Sequence, residues 1–394
     1  MNIGPRQLGR SAGRNVIHCG TAKADILAAW RHALDPAFRD SLHDLINEYG
    51  DGHAVTRIID TLKTTKLDKR LLEKHFIDWP EPETHAFEDT LAEITGAQHV
   101  IAVTSGTAAL HVCLMMADIK HGDEVLVPAF TFVASANAIA HAGAQPHFVD
   151  IDDETLCVGP ARLSTYLSEI CERKGGETIN RETGRKITAL IVVHTFGQAA
   201  DMAALMKVCE DFDITLIEDA AESLGTSIQG QHTGTFSQTA ALSFNGNKII
   251  TTGGGGAVMT DDPEIAAHIR HLTTTAKQPH KWEFIHDAVG YNYRMPAINA
   301  AIGVAQLEQF DDFLARKRAL AVAYENVFDS VSGVAFIHER EGTTANYWLN
   351  AITLETADAS VRDVILSTLN DAGYGCSPSW RPLHLLSPFA DSPR

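Results

Sequence analysis

The sequence predicts an α/β fold: a mainly parallel sheet flanked by helices, followed by a smaller α+β domain. Three observations carry this. Short runs rich in Val, Ile and Leu recur between residues 99 and 260, with helical patterns alternating between them. Several of these runs are apolar throughout rather than alternating apolar and polar residues, as expected of strands covered on both faces. After residue 300 the regular alternation stops and a long helical pattern takes over.

In chain order, "KADILAAWRHALDPAFRDSLHDLIN" (23–47) reads as helix, broken or kinked at Pro36. Residues 50–82 are weakly patterned. "HAFEDTLAEITG" (85–96) is an amphipathic helix ended by Gly96. "HVIAVTSGTAALHVCLMMADI" and "DEVLVPAFTFVASANAIAHAG" each read as strand, turn and helix, and "AQPHFVDID" reads as a strand. "ITALIVVHTFG" is a buried strand followed by the helix "DMAALMKVCEDF"; "ITLIEDAAESLG" is a strand ending in acids. "TAALSFNGNK" and "GGAVMTD" complete the strands. Beyond them, "AAIGVAQLEQFDDFLARKRALAVAYENVF" reads as one long helix, "VAFIH" and "NYWLNAITL" as strands, and "SVRDVILSTLNDAG" as a helix. The expected organisation is a mostly helical N-terminal extension (1–80), a large domain (81–305) and a small C-terminal domain (306–394).

The composition of the 394 residues, 45% apolar, suffices for a substantial core. A net charge of −18 argues against nucleic acid as a partner, and no apolar run reaches the length of a membrane span. The six cysteines are scattered without a C-x-x-C pair, Cys113 and Cys209 lying in apolar helical patterns, which suits a reduced, cytoplasmic enzyme. Arg6, Arg10 and Arg14 occur without an acid near the N-terminus, but no amphipathic repeat accompanies them, so a targeting segment is not expected.

Ligands of such sheets gather at the carboxyl ends of the strands. Ser105, Thr107, Phe132, Asp219 and Lys248 all fall there. In "ALSFNGNKIITTGGGGAVMTDD" (241–262), Lys248 stands between an apolar strand and four consecutive glycines, Gly253–Gly256. A glycine run is retained where the backbone bends sharply or approaches something closely. A lysine there is placed to react; the ordinary alternative is a solvated surface lysine. Pyridoxal phosphate chemistry needs such a primary amine for a Schiff base. It also needs a carboxylate against the ring nitrogen. Asp219, closing a hydrophobic strand, suits this, with a helix-capping role as the alternative. A phosphate needs amides and hydroxyls at a helix start, which Ser105, Gly106 and Thr107 supply; Ser243 adds another hydroxyl. Phe132 offers a ring face, although many phenylalanines are simply core.

Rival motifs fail on spacing. A P-loop needs Gly-Lys-Ser/Thr, and here Asn247 precedes the lysine. Val258 occupies the position where a dinucleotide fingerprint from the glycine run needs its third glycine. His268 and His271, with His280 and His286 nearby, find no acid or cysteine set, so no metal site is expected. The acidic stretch "DIDDET" (150–155) reads as a solvated loop.

From about residue 84 to about 390 the chain resembles the pyridoxal phosphate-dependent nucleotide-sugar aminotransferases of the DegT/DnrJ/EryC1/StrS type. The matching stretches are "SGTAAL", "VPAFTFVASANAI", "FVDID", "VVHTFG", "IEDAAESLG", "SFNGNK", the glycine run and "GYNYRMPAINAAIGVAQLEQ". "SFNGNKIITTGGGG" with "AKQPHKWEFIHDAVGYNYRM" is most similar to the branch that makes UDP-4-amino sugars for bacillosamine and legionaminic acid. The resemblance implies fold type I of the pyridoxal phosphate-dependent transferases, with residues 81–305 binding pyridoxal 5'-phosphate. It implies Lys248 as the Schiff-base lysine, Asp219 on the pyridine nitrogen and Glu222 near the ring hydroxyl. Phe132 would stack, and Gly106, Thr107 and Ser243 would join Ser105 around the phosphate. Asn292 would reach the phosphate of a neighbouring subunit, which implies a homodimer with shared active sites.

The expected reaction is transfer of an amino group from an amino acid, glutamate first, to a 4-keto-6-deoxy sugar on UDP, for bacterial surface glycans. Lys277 and His384 are candidate substrate contacts. Two departures from the family pattern stand out. Gly254 replaces an acid that many members carry in the glycine run, and after "LLSPFADSPR" the family's usual tail is not found. Two alternatives share the fold: a sugar dehydratase, which carries histidine at the lysine position, and a non-catalytic cofactor-binding paralogue. Lys248 opposes the first; bleaching of the cofactor's colour by an amino donor separates the second.

Overall fold

A computed structural model of the chain describes residues 2–3, 17–19, 22–42 and 82–394. The chain divides into two compact units, residues 1–77 and 78–394. In the first, the helix expected at 23–47 runs as Lys23–Leu34 and then Pro36–Asp40. Pro36 opens the second helix, where its missing N–H costs nothing, and Asp35 caps it by accepting from Ala37 N at 2.8 Å. The end of that predicted helix, the weakly patterned stretch to residue 81, and Arg6, Arg10 and Arg14 lie outside the described residues.

The second unit is built on a seven-stranded sheet. In chain order its elements are α1 (Pro82–Thr95), β1 (His99–Val103), α2 (Gly106–Met116), β2 (Glu124–Pro128), α3 (Ala134–His141), β3 (Gln145–Val149), α4 (Pro160–Ile170), β4 (Ile187–Val193) and α5 (Met202–Phe212). Then come β5 (Thr215–Asp219), β6 (Thr239–Ser243), β7 (Gly256–Thr260), α6 (Pro263–Thr273), α7 (Ala297–Leu307), α8 (Phe310–Phe328) and α9 (Ala359–Asp371). The sheet order is β1-β7-β6-β5-β4-β2-β3. The run from β6 to β3 is parallel; β7 is antiparallel to both its neighbours. The predicted mainly parallel sheet is therefore observed, with the glycine-led strand inserted against the grain.

Side chains alternate across the sheet as the strand period requires. Val103, Val125, Val127, Ile191, Ile217 and Val258 face one layer, with α2 and α3 packed on it. Ala102, Leu242, Ala257 and Met259 face the other with Phe87 and Leu91 of α1 and Ala300 of α7; Leu126, Leu190 and Val192 continue that layer with α4 and α5. Cys113 and Cys209 are buried in these cores, as their apolar settings predict. Among the described residues no helix is long and apolar enough to cross a membrane.

Three details depart from the sequence reading. The long helix after residue 296 is two, α7 and α8, separated at Glu308–Gln309. Phe310 at the start of α8 is buried against Gly225, where a Cβ would stand 2.8 Å from the phenyl ring, and it joins the core that Ala300 and Leu307 of α7 also enter. The strand expected over 346–354 begins only at Ile352 and pairs with Val334–Phe336. Third, an unanticipated hairpin, Cys171–Lys174 with Glu177–Asn180, precedes β4. Residues 383–394, at the end of the small domain expected from the sequence, fold back on the main sheet. Leu383 N donates to Ala129 O and Phe148 N to Pro393 O, both at 2.8 Å, and Leu383 and Phe389 join the main core.

Candidate active site

The carboxyl ends of β2, β4, β5 and β6 come together with the start of α2. Ser105 caps α2: its Oγ accepts from Ala108 N at 3.1 Å, leaving the first amides of the helix facing outward. The four glycines explain how close the neighbouring chain comes. Gly256 opens β7 opposite Ser243, and a Cβ there would lie 2.5 Å from the Ser105 carbonyl. A Cβ on Gly106 would lie 2.8 Å from Ser243 Cβ. Gly253, earlier in the run, takes a φ of +77° that other residues avoid. Ser105, Gly106, Thr107 and Ser243 thus form one cradle of amides and hydroxyls, a setting for a phosphate dianion.

Asp219 ends β5 and is buried. Its Oδ2 accepts from Ser135 Oγ of α3 at 2.8 Å and its Oδ1 from Ala221 N at 3.2 Å. Burial pushes its carboxyl upward; the Ser135 and Ala221 bonds and the Lys248 charge pull the other way. A carboxylate so held gains from a cationic N–H partner, which a pyridinium nitrogen provides. Phe132, in the turn after β2, is 55% exposed, so its ring is available for stacking rather than spent in the core.

Lys248 lies in the turn that leaves β6, its N–H bonded to Asn245 O at 3.0 Å. Its Nζ is 3.2 Å from Glu222 Oε1, with side chains only 12% and 4% exposed. Glu222 Oε2 accepts from Phe196 N at 2.9 Å. Burial raises the Glu222 carboxyl to about 7, against the pull of Lys248 and the Phe196 amide and with a further push from Asp219. Phe196 follows β4 with a left-handed φ of +57°, an unusual conformation for an aromatic residue, and this aims its amide at Glu222.

The structure brings together Lys248, Glu222 and Asp219, with the phosphate cradle at the end of the adjoining strands. Asn292, Lys277 and His384 lie on other segments. Asn292 is exposed, bridged to Thr274, two positions before Arg294, which pairs with Val103. Lys277 sits in the hairpin Lys277–Gln278/Ile285–His286, its Nζ 4.4 Å above the Phe284 ring. His384 lines a separate cavity of about 650 Å³ with Phe148, Arg162 and Tyr166.

Ser135, Phe196, Asn346 and Trp348 were not singled out from the sequence. Ser135 had a signal, its place on the first turn of a helix three residues after Phe132. Trp348 had none: its Nε1 donates to Asn247 O at 2.6 Å and its ring lies 3.9 Å from Lys248 Nζ, across about a hundred residues of sequence.

The profile of the DegT/DnrJ/EryC1/StrS aminotransferase family matches residues 60–394. The chain belongs to the DegT/DnrJ/EryC1/StrS aminotransferase family. It is a transaminase with pyridoxal 5'-phosphate as its cofactor, and the cradle, the buried carboxylate, the open ring face and the single lysine described above fit that group. EpsN of Bacillus subtilis (strain 168) is 37% identical over 303 residues, covering 77% of this chain and 75% of EpsN. The GDP-perosamine synthase of Escherichia coli O157:H7 is 35% identical over 306 residues, 77% of this chain and 78% of that one. The crystal structure of the aminotransferase TlmJ from Streptoalloteichus hindustanus is 30% identical, with a TM-score of 0.71 over 79% of this chain and 81% of its own.

Proposed function

We propose that this family member transfers an amino group from an amino acid, glutamate first, to a keto sugar carried on a nucleotide, in the making of bacterial surface polysaccharide. The observation that carries the reading is the Lys248 amine, 3.2 Å from Glu222 and within the field of buried Asp219, at the carboxyl ends of a parallel sheet. The likeness to a GDP-perosamine synthase supports a sugar acceptor.

Bound at these strand ends, pyridoxal phosphate supplies an aldehyde that condenses with a primary amine and a ring that draws electrons from the carbon losing its proton. Ser105, Gly106, Thr107 and Ser243 would hold its phosphate with the first amides of α2. Asp219 would keep a proton on the ring nitrogen, with Ser135 fixing the carboxylate that does so. Phe132 would cover a ring face, and Glu222 would lie near the ring hydroxyl. Lys248 Nζ then serves as the mobile base and acid: it accepts the proton of the donor's α-carbon and returns a proton to the sugar carbon that receives nitrogen.

Asn292 we assign to the phosphate site of a second copy, making the working unit a homodimer with shared sites. Lys277 and His384 are candidates for the sugar or its diphosphate, residues 306–394 for the small domain, and the cytoplasm for the location. The preferred acceptor is a 4-keto-6-deoxy sugar on UDP, from the wording of residues 243–256 and 276–295; the 35% identity to a GDP-perosamine synthase favours GDP as the second reading. A screen of glutamate and other amino acids against UDP-, GDP- and dTDP-linked keto sugars tests this. Turnover with the UDP sugar and glutamate is expected. Turnover with the GDP sugar alone would replace the nucleotide assignment, and none with any pair would end the sugar reading.

A further inference from the structure

The segment from Ala345 to Trp348 is buried throughout without regular secondary structure. Asn346 docks it. Its Nδ2 donates to the carbonyls of Glu222 and Leu224, each at 2.9 Å, and its Oδ1 accepts from Trp348 N at 2.8 Å. Its backbone N–H donates to Thr226 Oγ1 at 3.0 Å, and that hydroxyl donates to Gly197 O at 2.8 Å. The fit is close: a Cβ on Gly197 would stand 1.8 Å from Asn346 Oδ1. Tyr347 then takes a left-handed φ of +48°, which turns Trp348 inward.

Trp348 contacts Lys248 and the residue before it. The indole N–H holds the Asn247 carbonyl at 2.6 Å, and the ring lies 3.9 Å from Lys248 Nζ, with Glu222 Oε1 at 3.2 Å as that amine's other neighbour. An indole face attracts an ammonium group, most strongly where water is excluded. A lysine side chain has four carbons of free rotation, so an amine left without such contacts samples many positions.

We propose that Trp348 is a positioning residue for Lys248: the strap 345–348 presents an aromatic face that holds the amine where it captures the cofactor, so capture depends on the docked strap. This rests on the reading of Lys248 as the capturing residue.

The test follows capture itself, not turnover. Full-length wild type, Trp348→Phe, Trp348→Met and Trp348→Leu are mixed with pyridoxal phosphate. The visible absorbance of the lysine-bound cofactor is followed in time, with circular dichroism as the check of folding. Methionine fills irregular apolar space without a π face, so it serves where leucine fails to fold. Capture slowed about tenfold or more in Met and Leu, with Phe within about threefold of wild type, is the expected result. Folded Met or Leu variants capturing at the wild-type rate would overturn the proposal. Phe as slow as Met would overturn it too, because the ring face would then be doing nothing that bulk does not. If wild type forms no adduct on Lys248, the parent reading falls and takes the proposal with it; slow capture is read only against a wild type that succeeds.

Discussion

Ser135 Oγ donates a 2.8 Å hydrogen bond to Asp219 Oδ2, and both side chains are buried. The bond spans from α3 to the end of β5 and is one of the two hydrogen bonds that oppose the upward push of burial on the Asp219 carboxyl. Ser135→Ala removes that donor and leaves the oxygen unsatisfied. The expected loss is about 1–3 kcal/mol of unfolding free energy at neutral pH, read from urea unfolding. Ser135→Thr, which keeps the hydroxyl, should restore most of it; equal losses in Ala and Thr would mean the hydroxyl is idle.

Glu222 makes the stability of the cofactor-free protein depend on pH. Its carboxyl, ordinarily near 4.5, is raised to about 7 by burial. Between those values the folded chain holds a proton that the unfolded chain has released. Stability from this group is therefore full below 4.5, falls as pH rises towards 7, and levels off above it. The span corresponds to as much as about 3 kcal/mol, moderated by the Lys248 contact. Glu222→Gln should flatten that part of a stability–pH curve measured by urea midpoints. An unchanged slope in the variant would show that Glu222 titrates normally.

Gly256 is a matter of space. The added methyl of Gly256→Ala meets the Ser105 carbonyl carbon and oxygen at 2.5 Å, and backbone cannot retreat as a flexible side chain can. An overpacking cost of about 1–3 kcal/mol is expected in thermal unfolding. Because the displaced atoms cap α2, the stabilisation gained on adding pyridoxal phosphate should shrink as well. A variant that melts lower but gains as much from cofactor as wild type would separate the glycine from the cradle.

The sheet was legible because strands buried on both faces are written as apolar runs, and the start of α2 as Ser105-Gly106-Thr107. Lys248 and Asp219 stood out as candidates for a related reason: Asp219 closes an apolar strand and Lys248 lies in the turn that leaves another. Glu222 emerged only through family resemblance, since its role depends on Phe196 amide geometry after another strand. Asn346 and Trp348 were hidden. "NYWLNAITL" has the composition of a strand, yet the Asn346 amide takes the carbonyls of Glu222 and Leu224 instead of a ladder partner. Long-range docking of that kind leaves no local period. The α7–α8 break was invisible because Glu308 and Gln309, where it falls, are neither glycine nor proline.

The capture of cofactor by one amine is the claim on which the rest depends. Native protein loaded with pyridoxal phosphate, reduced with borohydride, digested and sequenced by mass spectrometry reads it directly. A phosphopyridoxyl group on Lys248, absent when Lys248→Ala is treated in the same way, is the predicted result; an unmodified Lys248, or a reduced adduct carried by another lysine, would contradict it.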